Sequence, residues 1–88
     1  MLNNLADDTR ITFAKDTRAA FGRDEYIVPT GTTATVRCRV CDNCFALVVD
    51  DLSVLPDYVR EFNVSEGDDE GVFFATLDED GSDIQVIE

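Results

Sequence analysis

Between Thr32 and Val49 the chain alternates apolar and polar residues, breaks at Asp42-Asn43, and resumes with Phe45, Leu47 and Val49. A period of two, with Thr and Val in the first arm and Phe, Leu and Val in the second, predicts a β-hairpin. Asp and Asn at the tip both tolerate the positive φ that a two-residue hairpin turn requires. Pairing outward from the tip matches Cys41 with Cys44, Val40 with Phe45, Cys38 with Leu47 and Val36 with Val49. Ala34, Val36, Cys38, Val40, Phe45, Leu47 and Val49 then share one buried face. Arg37 and Arg39 point the other way.

The same pattern can be followed along the rest of the chain. Residues 10–14 alternate, with Ile11 and Phe13 inward, and predict a first strand. Residues 15–24 fit either one helical turn stopped by Gly22 or a long excursion between two strands. Tyr26-Ile27-Val28 is a short apolar piece, and Pro29-Thr30-Gly31 is a turn signal. After the hairpin, Leu52, Leu55, Val59 and Phe62 recur at helical spacing. Pro56 falls inside that run, so the helix is expected to begin there and extend to about residue 62, with Asp57 in its first turn. Residues 65–71 read as a charged loop, 72–77 as a strand, 78–83 as a turn and 84–87 as the last strand. The last two strands are expected to form a second hairpin. Residues 1–8 read as a loose tail or a short helical turn.

About five strands and one short helix predict a mostly β, single-domain chain over residues 1–88: a small barrel or a rolled antiparallel sheet. The segment Val28-Pro29-Thr30-Gly31-Thr32-Thr33-Ala34-Thr35-Val36 resembles the entry to the second strand of SH3-like small β-barrels, and the likeness covers roughly residues 10–50. Such barrels are mostly binding modules, so the resemblance implies binding. Ala34 stands where these barrels commonly have a second Gly, and the 50–71 connection is longer than theirs.

Charge changes this picture most. The chain of 88 residues carries nineteen acidic and seven basic side chains and no His, a formal charge of −12. Residues 1–40 are nearly neutral, at +1, whereas residues 41–88 carry −13, with Arg60 their one basic residue. A field of that sign repels nucleic acid and anionic membranes and attracts basic protein surfaces. No apolar run approaches the ~18 residues of a membrane helix. The polar, acidic start does not read as a signal peptide, which favours a cytoplasmic, reducing setting in a host cell.

Three chemistries are open to these residues. Cys38, Cys41 and Cys44 have the spacing of a thiolate metal site, but four ligands are the rule and no further Cys or His exists. On the hairpin register Cys38 faces inward and the other two outward. A site shared between two chains, and with it a homodimer, stays open. Cys41 and Cys44 also have the spacing of a redox dithiol. Such pairs sit at a helix N-terminus that lowers the thiol pKa, and here the flanks are strands and acidic residues. Asp78-x-Asp80-Gly81 resembles part of a calcium loop, without its distal Glu at the right spacing. No cofactor is therefore expected.

The third is the acidic surface itself. Asp50-Asp51, Glu66 with Asp68-Asp69-Glu70, and Asp78-Glu79-Asp80 with Asp83 form three carboxylate clusters on loops. Exposure keeps their acidity ordinary, which suits no acid–base role. Two readings follow. In one, the charge provides solubility or adaptation to a salty cytoplasm for a structural or virion accessory module. The scarcity of Lys, a single residue, and the excess of thirteen Asp over six Glu lean that way. In the other, the carboxylates imitate a phosphate backbone and occupy the basic groove of a nucleic-acid-binding protein. In size and charge the chain resembles the DNA-mimic inhibitors of phages and mobile elements, including anti-restriction and anti-CRISPR proteins. That resemblance implies a non-enzymatic inhibitor of a host-defence protein, with no direct contact to nucleic acid.

Overall fold

The computed structural model describes residues 5–87. Seven strands form one antiparallel sheet: β1 (Arg10–Phe13), β2 (Thr17–Phe21), β3 (Asp24–Val28), β4 (Thr33–Cys41), β5 (Cys44–Val49), β6 (Val72–Thr76) and β7 (Ile84–Val86). A short 3-10 turn (Leu52–Val54) and one helix, α1 (Asp57–Ser65), lie between β5 and β6. The strand order is β3-β2-β6-β5-β4-β1-β7, with β3 and β7 at the edges.

The sheet is strongly rolled. The rings of Phe13 on β1 and Phe73 on β6 lie 6.1 Å apart at their centroids. Those strands stand three places apart in the sheet, roughly 14 Å if it were flat at ~4.8 Å per strand. The alternating residues that predicted the strands fill the inside of the roll: Ile11, Phe13, Phe45, Leu47, Val49, Phe73, Ala75 and Leu77 are all buried. The helix begins where Pro56 indicated. Pro56 occupies its N-cap position, and Asp57 stands in its first turn.

Several expectations are corrected. Residues 15–24 are neither a helical turn nor a loose excursion. They contain β2 and the turn into β3, joined through Gly22-Arg23. Gly22 has φ +61, the conformation a Gly supplies at the first position of a type II′ hairpin turn. The sheet accordingly has seven strands, not about five. β7 does not pair with β6. It pairs with β1, through Ile11–Val86 and Phe13–Ile84, and β6 is enclosed by β5 and β2.

The central hairpin forms with its tip as expected, Cys41 opposite Cys44. Its register then shifts twice, between Arg39 and Cys41 and between Val36 and Cys38, so Arg39 pairs with Phe45, Cys38 with Ala46 and Val36 with Leu47. One extra residue in each interval bends and twists the bulged strand, as rolling requires. Val40 is consequently 54% exposed and Cys38 is exposed, whereas Ala34, Val36, Phe45, Leu47 and Val49 keep their inward positions. Arg39 stands beside Phe45 instead of opposite to it, with its guanidinium 5.2 Å from the ring centroid. Neither Asp42 nor Asn43 takes a positive φ, so the adjacent bulge and not a primed turn matches the strand twist.

Part of the segment expected as a tail, residues 1–8, lies outside the described residues. Within it Leu5 packs on the core, and the Asp8 N–H donates to the Val36 carbonyl at 2.7 Å. Gly71 precedes β6 where a Cβ would stand 3.0 Å from the Val49 carbonyl oxygen, so any larger residue needs Val49 to give by a few tenths of an ångström.

Candidate functional site

The helical stripe sets the geometry of the acidic region. Of Leu52, Leu55, Val59 and Phe62, only Leu55 and Val59 are buried, and Phe62 is 49% exposed. The inward position belongs to Asn63, a residue that the apolar pattern passes over. Its side-chain amide donates to the carbonyls of Glu70 (3.0 Å) and Val72 (2.8 Å). Its own carbonyl accepts the N–H groups of Glu66 (3.2 Å) and Asp68 (2.9 Å). Asn63 thus ties both sides of the 66–70 loop to the helix. The one sequence-level signal was a polar residue four positions after the buried Val59, on the same helix face.

Within this loop Glu66, Asp68 and Asp69 are exposed and Glu70 is half-buried. Among the described residues, Glu66 and Asp68 have no ion pair or side-chain hydrogen bond. Asp69 stands 3.8 Å from Arg37, and Glu70 stands 3.5 Å from Arg60, which also pairs with Asp57.

The other clusters are largely spent on holding the fold. Asp50 makes a two-pronged pair with Arg10 at 2.7 and 2.6 Å and accepts the Thr33 hydroxyl at 2.7 Å. The Arg10 bonds hold its carboxyl below the usual range. Asp51 caps the 3-10 turn by accepting the Ser53 N–H and hydroxyl, which lowers it likewise. Asp80 accepts the Ser82 N–H, and Glu79 is exposed.

Asp83 corrects the expectation of uniform exposure, being only 4% exposed. It accepts the Asp78 N–H at 3.2 Å, and burial pushes its carboxyl above the usual range. The carboxylates of Asp78, Asp80 and Asp83 gather within 4.8 Å of one another. The ammonium of Lys15 lies 2.9 Å from Asp78 and 3.9 Å from Asp83, so the chain supplies its own cation there. Hydrogen bonding to Lys15 draws Asp78 down.

Among the described residues, the three thiols do not form part of any such gathering. Cys38 and Cys41 are exposed and Cys44 is half-buried, with burial and the neighbouring Cys41 thiol raising its pKa. A raised thiol pKa disfavours the thiolate that both metal binding and disulfide exchange require.

A second surface was not foreseen. After Ala20–Phe74 the pairing of β2 with β6 stops, and α1 covers the opening. An apolar groove of about 370 Å³ remains, lined chiefly by Phe21, Tyr26, Val59, Phe62, Phe73 and Phe74. Phe21 meets Tyr58 and Phe62 edge to face, at 5.3 and 5.2 Å between centroids. The Tyr26 hydroxyl is buried with no hydrogen-bond partner among the described residues, and burial pushes its pKa up to about 12. Among the described residues no helix is long and apolar enough to cross a membrane. Compared with protein-family models, curated proteins and solved structures, the chain matches none.

Proposed function

We propose that this chain is a non-enzymatic, acidic interaction protein that occupies the basic groove of a nucleic-acid-binding partner, in the manner of a phage or mobile-element inhibitor of a host-defence nuclease complex. The observation that carries the reading is the 66–70 loop. The side chains of Glu66, Asp68 and Asp69 are exposed, while Asn63 holds the loop backbone at both sides. Charges fixed before encounter need little ordering on binding, so more of their attraction appears as affinity. The scale is also suitable. The molecule is 33 Å long and carries nineteen carboxylate side chains. A DNA duplex of that length, at one charge per ~1.7 Å, presents about the same number.

The ten acidic residues do not contribute equally. Glu66, Asp68, Asp69 and Glu79 are exposed and hold no loop in place, whereas Glu70 is half-buried beside Arg60. Asp50, Asp51, Asp78, Asp80 and Asp83 serve chiefly to pin loops and add to the long-range field. Association is steered by that field and is correspondingly sensitive to salt.

The test is a salt titration of binding to a panel of nucleic-acid-binding proteins, with DNA as competitor. Reversing Glu66, Asp68 and Asp69 to Lys changes the charge from −12 to −6. Binding should weaken at least about tenfold, or about 1.4 kcal/mol, mostly through slower association. If no panel member binds at low salt, or if binding ignores both salt and added DNA, the mimic reading is refuted and the acidity is a solubility device.

A further inference from the structure

Five of the eight aromatic residues, Phe21, Tyr26, Tyr58, Phe62 and Phe74, gather around the groove between α1 and the β2–β3 hairpin, Phe21 and Tyr26 packing against the edge of the core. Tyr58, Phe62 and Phe74 are each more than two-fifths exposed, on a chain otherwise dominated by charge. Clustered exposed aromatics of this kind mark interaction sites, whereas scattered ones do not. Across α1 lies a second depression, of about 440 Å³, lined by Asp57, Arg60, Glu61, Val64, Ser65 and Glu70. Residues 57–70 hold six carboxylates to one guanidinium. One helix therefore separates an apolar groove from an acidic one.

We infer that α1 is a docking ridge for an extended basic segment of a partner protein, which seats one large apolar side chain in the Phe21–Phe62–Phe74 groove and reaches over the helix to place Lys or Arg against Glu61, beside the Arg60–Glu70 pair. The charge part of this inference rests on the acidic-face reading above. The apolar part does not. A second copy of the chain is a poor occupant, because each copy brings a charge of −12 to the same contact. The geometry also sets the spacing. A helix with its side chains is ~10 Å across. An extended segment covers ~3.3 Å per residue, so anchor and cation should stand about three residues apart. Large apolar anchors in desolvated pockets dominate binding energy, and charges at the rim govern encounter.

The probe is a synthetic peptide with one Phe, a Gly-Ser spacer and an Arg-Lys pair. It is titrated into the full chain with backbone amide NMR as the readout. Shifts should appear on both flanks of α1, at Phe21, Glu61, Phe62, Glu70 and Phe74. Putting Ala for the peptide's Phe should weaken binding about tenfold, as should Phe62→Ser or Phe74→Ser in the protein, with an unchanged circular dichroism spectrum as the check of folding. Replacing the Arg-Lys pair by Gln should weaken it and abolish its salt dependence. If the Phe is dispensable, the docking ridge is refuted and plain carboxylate attraction stands. If the Gln peptide binds equally well, the basic-partner assignment is refuted. If Phe62 signals instead respond to protein concentration and sedimentation shows a dimer, the occupant is a second copy and the inference is overturned. Anchor-dependent binding, combined with indifference of the nucleic-acid-binding panel to DNA, would leave the ridge in place and remove the mimic reading.

Discussion

Asn63 makes a demanding test, because a single side chain is assigned both to stability and to the placement of the acidic loop. Asn63→Ala removes two neutral hydrogen bonds, each contributing ~0.5–1.5 kcal/mol net, and leaves the buried Val72 carbonyl without its donor at a further ~1–3 kcal/mol. The Glu70 carbonyl is partly exposed and can turn to water. With the Glu70 bond replaced by water, the Val72 bond and its orphaned carbonyl set the expected loss at about 1.5–4.5 kcal/mol. Asn63→Asp keeps the volume but sets a carboxylate where two carbonyl oxygens now lie 3.0 and 2.8 Å from the amide nitrogen. That variant should lose more than the Ala variant, close to the whole stability of about 5 kcal/mol for a domain of this size. Its folded-state carboxyl would prefer the proton, so its folded pKa lies above the unfolded one. The deficit is therefore present at neutral pH and shrinks as pH falls through the folded pKa, where the acid regains one O–H donor. Urea melts of wild type and both variants between about pH 7 and about pH 4, each read as a difference from wild type at the same pH, measure this. Faster amide exchange in residues 66–70 should accompany the loss. An Ala variant within ~0.5 kcal/mol of wild type, or an Asp variant as stable as wild type at neutral pH, would refute the assignment.

Three further outcomes follow from the same packing. Phe45→Ala empties a fully buried site and should cost ~3–5 kcal/mol in urea melts; a loss below ~1 kcal/mol would mean that the ring is not in the core. Tyr26→Phe removes a buried hydroxyl that has no partner, and should stabilise the chain by ~1 kcal/mol, seen as a melting point several degrees higher; a lower melting point would reveal a hydrogen bond to that oxygen. Asp83 has a folded pKa above its unfolded one, so its contribution favours folding at low pH and is lost as pH rises through the folded value. Asp83→Asn keeps an acceptor for the Asp78 N–H and should raise the melting point at neutral pH, with the gain fading toward about pH 4; a gain independent of pH would refute burial as the cause.

Much was legible in the chain because it is local. Alternation placed Ile11, Phe13, Ala34, Val36, Phe45, Leu47 and Val49 inward, and all of them are buried, whereas Cys38 and Val40, assigned to the same face, are exposed. Pro56 marked the helix start because its fixed φ suits only that end. The acidity of the second half is a matter of counting. The Gly22-Arg23 turn was missed, because β2 and β3 are short and Gly followed by Arg is a weaker hairpin signal than Gly followed by Asn, Asp or Ser. For the candidate site, the sequence by itself located the exposed carboxylates of the 66–70 loop and gave no sign of the aromatic groove beside them.

What the tertiary structure decided is everything that depends on the sheet rolling up. A period of two says which residues alternate, not which strand they face, and a single extra residue reverses every side chain beyond it. The shifts around Arg37 and Val40 therefore carried Cys38 and Val40 outward and brought Arg39 alongside Phe45, although their local pattern is uninterrupted. The final strand joined β1 and not β6, because rolling leaves β6 with a neighbour on each side and β1 with an open edge. That choice drew the 78–83 turn across the end of the sheet and buried Asp83 there. It was likewise the parting of β2 from β6, set by the roll, that placed Asn63 inside, left Phe62 at the surface and opened the groove between them.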